Sequence, residues 1–225
     1  MRVTLLSYTR DAERLCASAA HSCYSDKGAS ELMESWDERK GAKWLGSPLA
    51  SGHHSVIEHA SYTFSIEGVS RSLTHQLVRH RLASFSQQSQ RYVGMDRSEY
   101  VVPDSIARDE EAARRYKELM ERIWEEYRFL SERVPREDAR YVLPNACTTN
   151  ITVTMNAREL WHFFELRCCN RAQDEIRKVA DEMLRLAQEA SPFIFRDAGP
   201  PCISRGRCPE GKMSCGRPRT ELRRA

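Results

Sequence analysis

Two stretches of the chain alternate apolar and polar side chains, and each predicts a half-buried β-strand. Polar residues separate the apolar members of each set, which are Ala60, Tyr62, Phe64 and Ile66 in the first stretch and Ile151, Val153 and Met155 in the second. A period of two directs one set of side chains to one face of a sheet. The first of these strands is predicted to end at Gly68. Residues Arg2–Tyr8 are predicted to form another short strand.

Elsewhere, apolar residues recur every three or four positions, which is typical of helices. The clearest such stretch covers Ile106–Val134, and Pro135 ends it. Further helices are predicted over residues 12–22 after a cap at Asp11, over 25–49, from Ser70 to about His80, over 157–168 and over 171–190. A potential capping box precedes each of the last two, and the pairs are Asn156 with Glu159 and Asn170 with Gln173.

The composition is that of an ordinary soluble globular protein. The chain has 225 residues, of which 30% are charged and 40% hydrophobic, and this length is enough for one domain with a sizeable core or for two small ones. Its net charge of +3 gives no reason to expect binding to nucleic acid or to a membrane. We find no internal repeat and no interdomain linker. We therefore predict a single domain over residues 1–200, followed by a Cys-, Gly- and Arg-rich extension over residues 201–225.

The sequence also bears on the location of the protein. The first residues lack the apolar core and cleavage site of a signal peptide. No apolar run approaches the length of about 18 residues that a transmembrane helix needs. Eight cysteines without a secretion signal are typical of reduced thiols. The sequence therefore predicts a cytoplasmic protein.

The segment from Arg79 to Arg91 is the most informative part of the chain. It contains three arginines, one histidine, three serines and three glutamines, and no acidic residue. Guanidinium groups combined with hydroxyls and amides can hold a phosphate group. Arg79 and Arg81 are two positions apart and should point to different sides, so they could serve two ligands. A solvated basic helix end would have a similar composition, but the ordered spacing favours a binding site.

That spacing, R-H-R-x-x-S-x-x-x-x-S-x-R, resembles the signature of the flavin-dependent thymidylate synthases at every fixed position. The resemblance implies an α/β fold in which long α-helices flank a mixed β-sheet. It also implies the conversion of dUMP to dTMP, with methylenetetrahydrofolate as carbon donor, NADPH as reductant and FAD as hydride carrier. Family members are homotetramers whose active sites lie at subunit interfaces, so the same assembly is expected here.

The resemblance assigns roles to individual residues. The residues expected to bind FAD are His53, Ser55, Arg79, His80, Arg81, Gln87, Asn156, Arg158 and His162. The residues expected to bind dUMP are Gln76, Arg79, Gln87, Gln88, Ser89, Gln90, Arg91, Arg140 and Arg167. Within the second set, Arg167 is expected to be catalytic, because the matching arginine lies against the uracil ring and promotes its ionisation.

The chain differs from some relatives at two of these positions and at one further position. His162 stands where some relatives have Asn, and Gln87 stands where some have Glu. Arg171 stands where many relatives have a His near the folate and the flavin. The folate side of the site is therefore less well defined by sequence than the nucleotide side.

Other chemistries fit the sequence less well. The cluster of His53, His54, Glu58 and His59 does not match H-E-x-x-H, and the cysteines form no C-x-x-C pair, so we predict no metal site. A serine hydrolase would need a G-x-S-x-G turn, which is not present. The remaining alternative is a nucleotide- or RNA-binding protein without catalysis. Such a protein would stack bases on aromatic rings, and few aromatic residues lie near the motif.

Overall fold

A computed structural model describes residues 1–222, without the side chains at positions 38, 40 and 42. The strands are β1 (Arg2–Tyr8), β2 (Ser61–Ser70), β3 (Ala83–Gln87) and β4 (Thr148–Asn156). The helices before residue 100 are α1 (Ala12–Ser22), α2 (Ala29–Glu34), α3 (Glu38–Ala50) and α4 (Arg71–Leu77). The later helices are α5 (Asp104–Ala107), α6 (Glu110–Ser131), α7 (Arg136–Ala139), α8 (Ala157–Arg167), α9 (Asp174–Ala190), α10 (Pro192–Phe195) and α11 (Pro201–Ser204). The last three residues of the predicted extension lie outside the described residues.

The four strands form one sheet in the order β1-β2-β4-β3. The predicted α/β class is confirmed; the four strands are antiparallel, where the resemblance implied a mixed sheet. Along β2 the side chains of Tyr62, Phe64 and Ile66 are fully buried, as the alternating pattern predicts. Strand β2 does not end at Gly68 but continues to Ser70. Gly68 adopts a left-handed φ of 67°, which glycine tolerates, and its N–H remains bonded, to Asn150 Oδ1 at 3.0 Å.

The segment Arg79–Arg91, for which no strand was predicted, contains strand β3. Strand β3 lies at the edge of the sheet, and its residues are only partly buried or exposed. A polar edge strand gives a weak hydrophobic signal, so the periodicity missed it. Helix α4 ends at Leu77, which leaves Arg79 and His80 outside the helix. The start of this helix was predicted correctly, and the Ser70 side chain accepts from Leu73 N at 3.0 Å.

Three other helix predictions need correction. The helix predicted from Ile106 is interrupted, because the Asp109 side chain accepts from Ala112 N at 3.0 Å and begins α6. Helix α9 begins at Asp174 and not at residue 171, because the Asn170 amide donates to the carbonyl of Arg217 at 2.9 Å. Asp11 precedes α1 in a left-handed conformation and makes no side-chain capping bond. The capping role predicted for Asn156 is confirmed by its bond from Glu159 N at 2.9 Å.

Contacts between Cα atoms divide the chain into two compact units. Unit 1 comprises residues 1–2, 66–79 and 85–152, and unit 2 comprises residues 3–65, 80–84 and 153 to the end. The predicted single domain over residues 1–200 stays a prediction. The division falls within the R-H-R motif, so Arg79 belongs to unit 1 and His80 and Arg81 to unit 2.

Each unit has an apolar core of its own. In unit 1, α6 buries Trp124 and Tyr127 against Met95, whose carbonyl accepts from Trp124 Nε1 at 2.9 Å. In unit 2, the ring of Phe195 makes edge contacts with Tyr62 and Phe164 at centroid distances of 5.2 and 6.0 Å. These cores fix the helices and strand ends that carry the polar residues of the motif.

Candidate active site

A large open cleft of about 1380 Å³ lies in unit 2. Its lining comes from the turn after α3, from the start of β3, from the junction of β4 with α8, and from the segment after α11. Four arginines contribute to this lining, and they are Arg81, Arg158, Arg205 and Arg207. A cleft of this size, lined by several guanidinium groups, can hold a large anionic ligand.

Four residues predicted to bind the flavin line this cleft together. Asn156 caps α8 at the floor of the cleft, and Arg158 and His162 lie on the first two turns of that helix. Arg81 approaches from the segment before β3. Arg158 is paired with Glu58, which the sequence offered only as a member of a rejected metal cluster. The structure therefore brings the four predicted residues together although they are up to 81 positions apart in the sequence.

Two further predicted flavin ligands lie beside the cleft and not on its lining. His53 and Ser55 are exposed residues at the 3₁₀ turn over residues 54–57. From this turn it is His54 that lines the cleft, with its ring 4.8 Å from the ring of the buried Trp161. Burial lowers the pKa of His54, which keeps its imidazole neutral. No simple motif marks His54 or Trp161, so the sequence could not have selected them.

A buried polar cluster underlies this cleft. The His80 side chain is 4% exposed and the Glu159 side chain 6% exposed. His80 Nδ1 lies 3.3 Å from Glu159 Oε1, and Arg167 Nε donates to His80 Nε2 at 3.2 Å. Burial, with a smaller contribution from the charge of Arg167, lowers the pKa of His80 to about 4. His80 is therefore neutral at physiological pH. Its predicted contact with the flavin stays a prediction.

The segment after α11 contributes to the cleft through a well-formed ion pair. Arg205 donates from Nε and Nη2 to the two carboxylate oxygens of Glu165 at 2.9 and 2.7 Å. The hydroxyl of Ser204 donates to the same carboxylate at 2.9 Å. Sequence reasoning treated residues 201–225 as an extension, and nothing in their composition indicated that Arg205 and Arg207 would line a cleft.

In unit 1 the residues after β3 form a compact turn. The Ser89 carbonyl accepts from Val93 N at 2.9 Å, and its hydroxyl accepts from Arg91 N at 3.2 Å. Arg71 Nη1 donates to the carbonyl of Gln88 at 3.5 Å. These bonds hold Ser89 and Arg91, both predicted to bind the nucleotide, in one turn.

Two predicted nucleotide-binding arginines converge on one residue of α7. Arg91 Nε donates to a carboxylate oxygen of Glu137 at 2.8 Å, and Arg140 Nε donates to the Glu137 carbonyl at 3.1 Å. The side chains of Arg91 and Glu137 are about half exposed, at 51% and 49%. Arg91 and Arg140 therefore share Glu137 as a hydrogen-bond partner, and their joint contact with a nucleotide stays a prediction. Glu137 itself carries no sequence signal.

The glutamines of the motif are engaged within unit 1. The Gln87 amide donates to the hydroxyls of Thr74 and Thr149 at 3.0 and 3.4 Å, and the Gln90 amide donates to Cys147 Sγ at 3.5 Å. The Gln88 amide oxygen accepts from Asn150 at 3.4 Å. Gln76 is partly buried in α4, and Arg79 is exposed beyond its end. Gln87 and Gln90 therefore hold the turn in place in this structure, and direct contact with a ligand stays a prediction for them.

Comparison with known proteins decides the family. The family model described as thymidylate synthase complementing protein matches residues 4–193. A flavin-dependent thymidylate synthase of Geobacter sulfurreducens is 52% identical over 220 residues, which cover 96% of this chain and 94% of that protein. The chain belongs to the flavin-dependent thymidylate synthase family.

Two solved structures resemble the chain. The UMP/dUMP methylase PolB from Streptomyces cacaoi, bound with 5-Br dUMP, has a TM-score of 0.77 and 25% identity, and the match covers 86% of this chain and 92% of that one. The flavin-dependent thymidylate synthase ThyX from Helicobacter pylori, complexed with FAD and dUMP, has a TM-score of 0.65 and 24% identity over 88% of this chain and 100% of that one. Both likenesses confirm the fold class.

Arg171, one of the departures from the family pattern noted in the sequence, has a defined partner in unit 2. Arg171 forms an ion pair with Glu210 of the C-terminal segment.

Among the described residues no cluster of His, Cys, Asp and Glu side chains could hold a metal ion. No helix in the described part of the chain is long and apolar enough to cross a membrane. The predicted cytoplasmic location stays a prediction.

Proposed function

We propose that this chain catalyses the reductive methylation of dUMP to dTMP, with FAD as hydride carrier, methylenetetrahydrofolate as carbon donor and NADPH as reductant. The observation that carries the proposal is the placement of the R-H-R signature. Its first part leads into an arginine-lined cleft in unit 2, and its last part forms a turn in unit 1 where Arg91 shares the partner Glu137 with Arg140. The family and the ligands bound in both similar structures support the same reaction.

The cleft in unit 2 fits a dinucleotide such as FAD in size and in the chemistry of its donors. Arg81 and Arg158 supply guanidinium groups for a pyrophosphate, and Asn156 and His162 supply hydrogen-bonding groups along the same wall. His53 and Ser55 are exposed beside the cleft and would complete the cofactor site within unit 2. The assignment of Arg79 to the flavin rests on the family resemblance alone. When bound, FAD supplies hydride transfer, and the residues of the chain bind and orient it.

The turn in unit 1 fits the phosphate of a nucleotide. Arg91 and Arg140 provide two cations that already converge on Glu137, and Ser89 provides a hydroxyl in the same turn. A phosphate that displaces the Glu137 carboxylate from Arg91 would keep the charge of the guanidinium compensated. We therefore assign the phosphate of dUMP to these three residues, with Gln76 and Gln88 nearby.

Arg167 is assigned to the pyrimidine ring. The C5 atom of uracil is a poor nucleophile until negative charge develops on the ring carbonyls and N3. A fixed guanidinium beside the ring stabilises that charge in the transition state, as an oxyanion site does. No protein nucleophile is required, and Ser89 acts as a ligand. Among the groups of this chain, Arg167 therefore carries the chemical step.

We further propose that the chain works as a homotetramer whose active sites combine residues of more than one copy. The residues that act on one nucleotide then need not come from the same chain. Large apolar side chains that are strongly exposed support association, and they include Leu82, Tyr92 and Tyr141. Light scattering coupled to size-exclusion chromatography measures the assembly directly, and a monomer with full activity would contradict it.

The decisive test uses the purified full-length chain. A flavin absorption band should accompany the protein, and NADPH oxidation with methylenetetrahydrofolate should depend on dUMP and yield dTMP in equal amount. Formation of no dTMP by flavin-saturated protein would overturn the proposal. Binding of RNA without turnover would favour the alternative, a nucleotide- or RNA-binding protein without catalysis.

A further inference from the structure

We propose that His80 and Glu159 are positioning residues for Arg167, and that the His80 side chain influences the reaction through this arginine. The inference rests on the proposed function, because it assigns a task to Arg167. His80, Glu159 and Arg167 all belong to unit 2.

The geometry supports a chain of hydrogen bonds that runs from Glu159 to Arg167. Glu159 lies on the first turn of α8 and Arg167 is its last residue, so the two are more than two turns apart on one helix. His80 bridges this gap, with 3.3 Å from Nδ1 to Glu159 Oε1 and 3.2 Å from Nε2 to Arg167 Nε. The edge of its ring packs on Phe163 at a centroid distance of 5.0 Å. Both nitrogens of a nearly fully buried ring are therefore engaged within the protein.

The donors and acceptors along this chain fix the tautomer of His80. A guanidinium Nε–H can only donate, so His80 Nε2 must be the acceptor and must carry no proton. In the neutral ring the proton then lies on Nδ1, from which it is donated to Glu159. The Glu159 carboxylate therefore selects the form of His80 that can accept from Arg167.

The bond from Arg167 to His80 adds no opposing charge to the guanidinium. A carboxylate at the same place would compensate part of the positive charge that should stabilise the ring of the substrate. An imidazole accepts the Nε–H bond as a neutral group, and burial keeps it neutral by lowering its pKa. His80 thus fixes the direction of the guanidinium without itself adding a negative charge. Glu159 is one hydrogen bond further away, where its charge acts on the arginine only indirectly.

The first experiment reads the tautomer and needs no catalysis. Long-range proton–nitrogen NMR on the full-length protein, labelled with ¹⁵N-histidine and measured near pH 7.5, should show His80 as the neutral Nδ1–H form. The signal is assigned by its loss in His80→Gln. In Glu159→Gln the amide can donate as well as accept, so the Nε2–H form should gain population. A charged His80, or a dominant Nε2–H form in the unmodified protein, would overturn the proposal.

The second experiment separates positioning from folding. Displacement of a catalytic group by about 1 Å can cost about 100-fold in rate, so His80→Leu should lower kcat by about that factor. His80→Gln retains an acceptor for Arg167 and should recover most of the loss. The KM for dUMP and the FAD content should change less than threefold in both variants. His75→Gln changes an exposed histidine of α4 and serves as the matched control, with unchanged kinetics.

The outcomes distinguish the two proposals. If the unmodified chain forms no dTMP, the proposed function fails, while the tautomer measurement still decides whether Glu159 and His80 orient Arg167. If dTMP forms and His80→Leu keeps its kcat, or if His80→Gln is as slow as His80→Leu, the positioning role is wrong. Loss of FAD from both variants at unchanged thermal stability would instead make His80 a cofactor ligand.

Discussion

Two regions of the molecule hold their proposed ligand-binding arginines in opposite ways. In unit 2, Arg167 donates to the buried, neutral imidazole of His80. In unit 1, Arg91 donates to the carboxylate of Glu137, and both side chains are about half exposed. The first arginine has a fixed direction and donates from Nε to a neutral acceptor. The second has a charged partner that water can replace.

This difference corresponds to two proposed functions, which are capture of a phosphate and stabilisation of charge in the transition state. An exposed ion pair contributes about 0–1 kcal/mol and can exchange its partner at little cost, which suits a group that captures a phosphate. A buried hydrogen-bond network is rigid, and leaving one member unsatisfied costs about 1–3 kcal/mol. Rigidity suits a group that must stabilise charge only in the transition state. We therefore expect changes in unit 2 to affect the rate and changes in unit 1 to affect binding.

The largest expected effect is that of Arg167→Ala. Loss of a preorganised group that stabilises developing charge costs about 100- to 1000-fold in kcat, and the KM for dUMP should change much less. Steady-state dTMP formation with saturated substrates measures both quantities. Arg185→Ala removes an arginine that pairs with Glu182 and Glu189 on the surface of α9, and it serves as the control. An Arg167→Ala enzyme with unchanged kcat would show that this arginine has no part in the chemical step.

Arg91→Ala should act on binding instead. A hydrogen bond to a charged group is worth about 1.5–3 kcal/mol, so the KM for dUMP should rise roughly 10- to 100-fold while kcat changes severalfold at most. Titration of dUMP into the protein gives the same comparison without turnover. The matched control is Arg114→Ala, which removes an exposed arginine paired with Glu118 on α6. A fall in kcat at unchanged KM would remove the distinction between the two regions.

The two regions also differ in how far the sequence predicts them. The alternation in β2 and β4 and the cap at Asn156 follow from local chemistry, and the structure has them where the pattern predicts them. The family resemblance assigned Arg91 and Arg140, which are 49 positions apart, to one nucleotide, and in the structure both donate to Glu137. Local patterns and a specific motif therefore predicted the frame of the fold and the nucleotide-side turn.

The remaining parts depend on tertiary contacts that no local pattern encodes. Strand β3 forms because β4 offers an edge, although its own residues are mostly polar. Asn170 was predicted to cap a helix, but its amide is taken by the backbone of the C-terminal segment. The role of Glu159 as partner of His80 depends on a contact across 79 positions. Which hydrogen-bond partner such a side chain takes is determined by the tertiary structure and not by the local sequence.

The buried network of unit 2 should also make stability depend on pH. His80 has a pKa of about 4 in the folded protein and about 6.5 when unfolded, so between these values the unfolded chain binds more protons. Its contribution is complete above pH 6.5 and is lost as the pH falls toward 4. From pH 7 to pH 5 the loss is about 2 kcal/mol in the free energy of unfolding.

Urea unfolding at pH 7 and at pH 5 measures this loss. The titratable and charged groups that face His80 are Glu159, Arg167 and His162. Burial raises the pKa of Glu159, so the contribution of Glu159 to stability changes with pH in the direction opposite to that of His80. Glu159 is present in the unmodified protein and in His80→Gln, so the comparison of the two isolates the contribution of the histidine. The variant should lose about 2 kcal/mol less than the unmodified protein over this interval. Equal losses in the two proteins would mean that His80 is not held neutral by the fold.

The smallest expected effect is that of Glu137→Gln, which tests the exposed pair of unit 1. A half-exposed ion pair contributes about 0–1 kcal/mol, so the free energy of unfolding should fall by no more than that amount. Removal of the carboxylate also removes a competitor for Arg91, and the KM for dUMP should therefore fall, by about threefold at most. Glu118→Gln breaks the pair with Arg114 and controls for the loss of one surface charge. If Glu137→Gln instead raised KM and cost more than about 2 kcal/mol of stability, the pair would be a rigid element like the network around His80, and the contrast between the two regions would no longer hold.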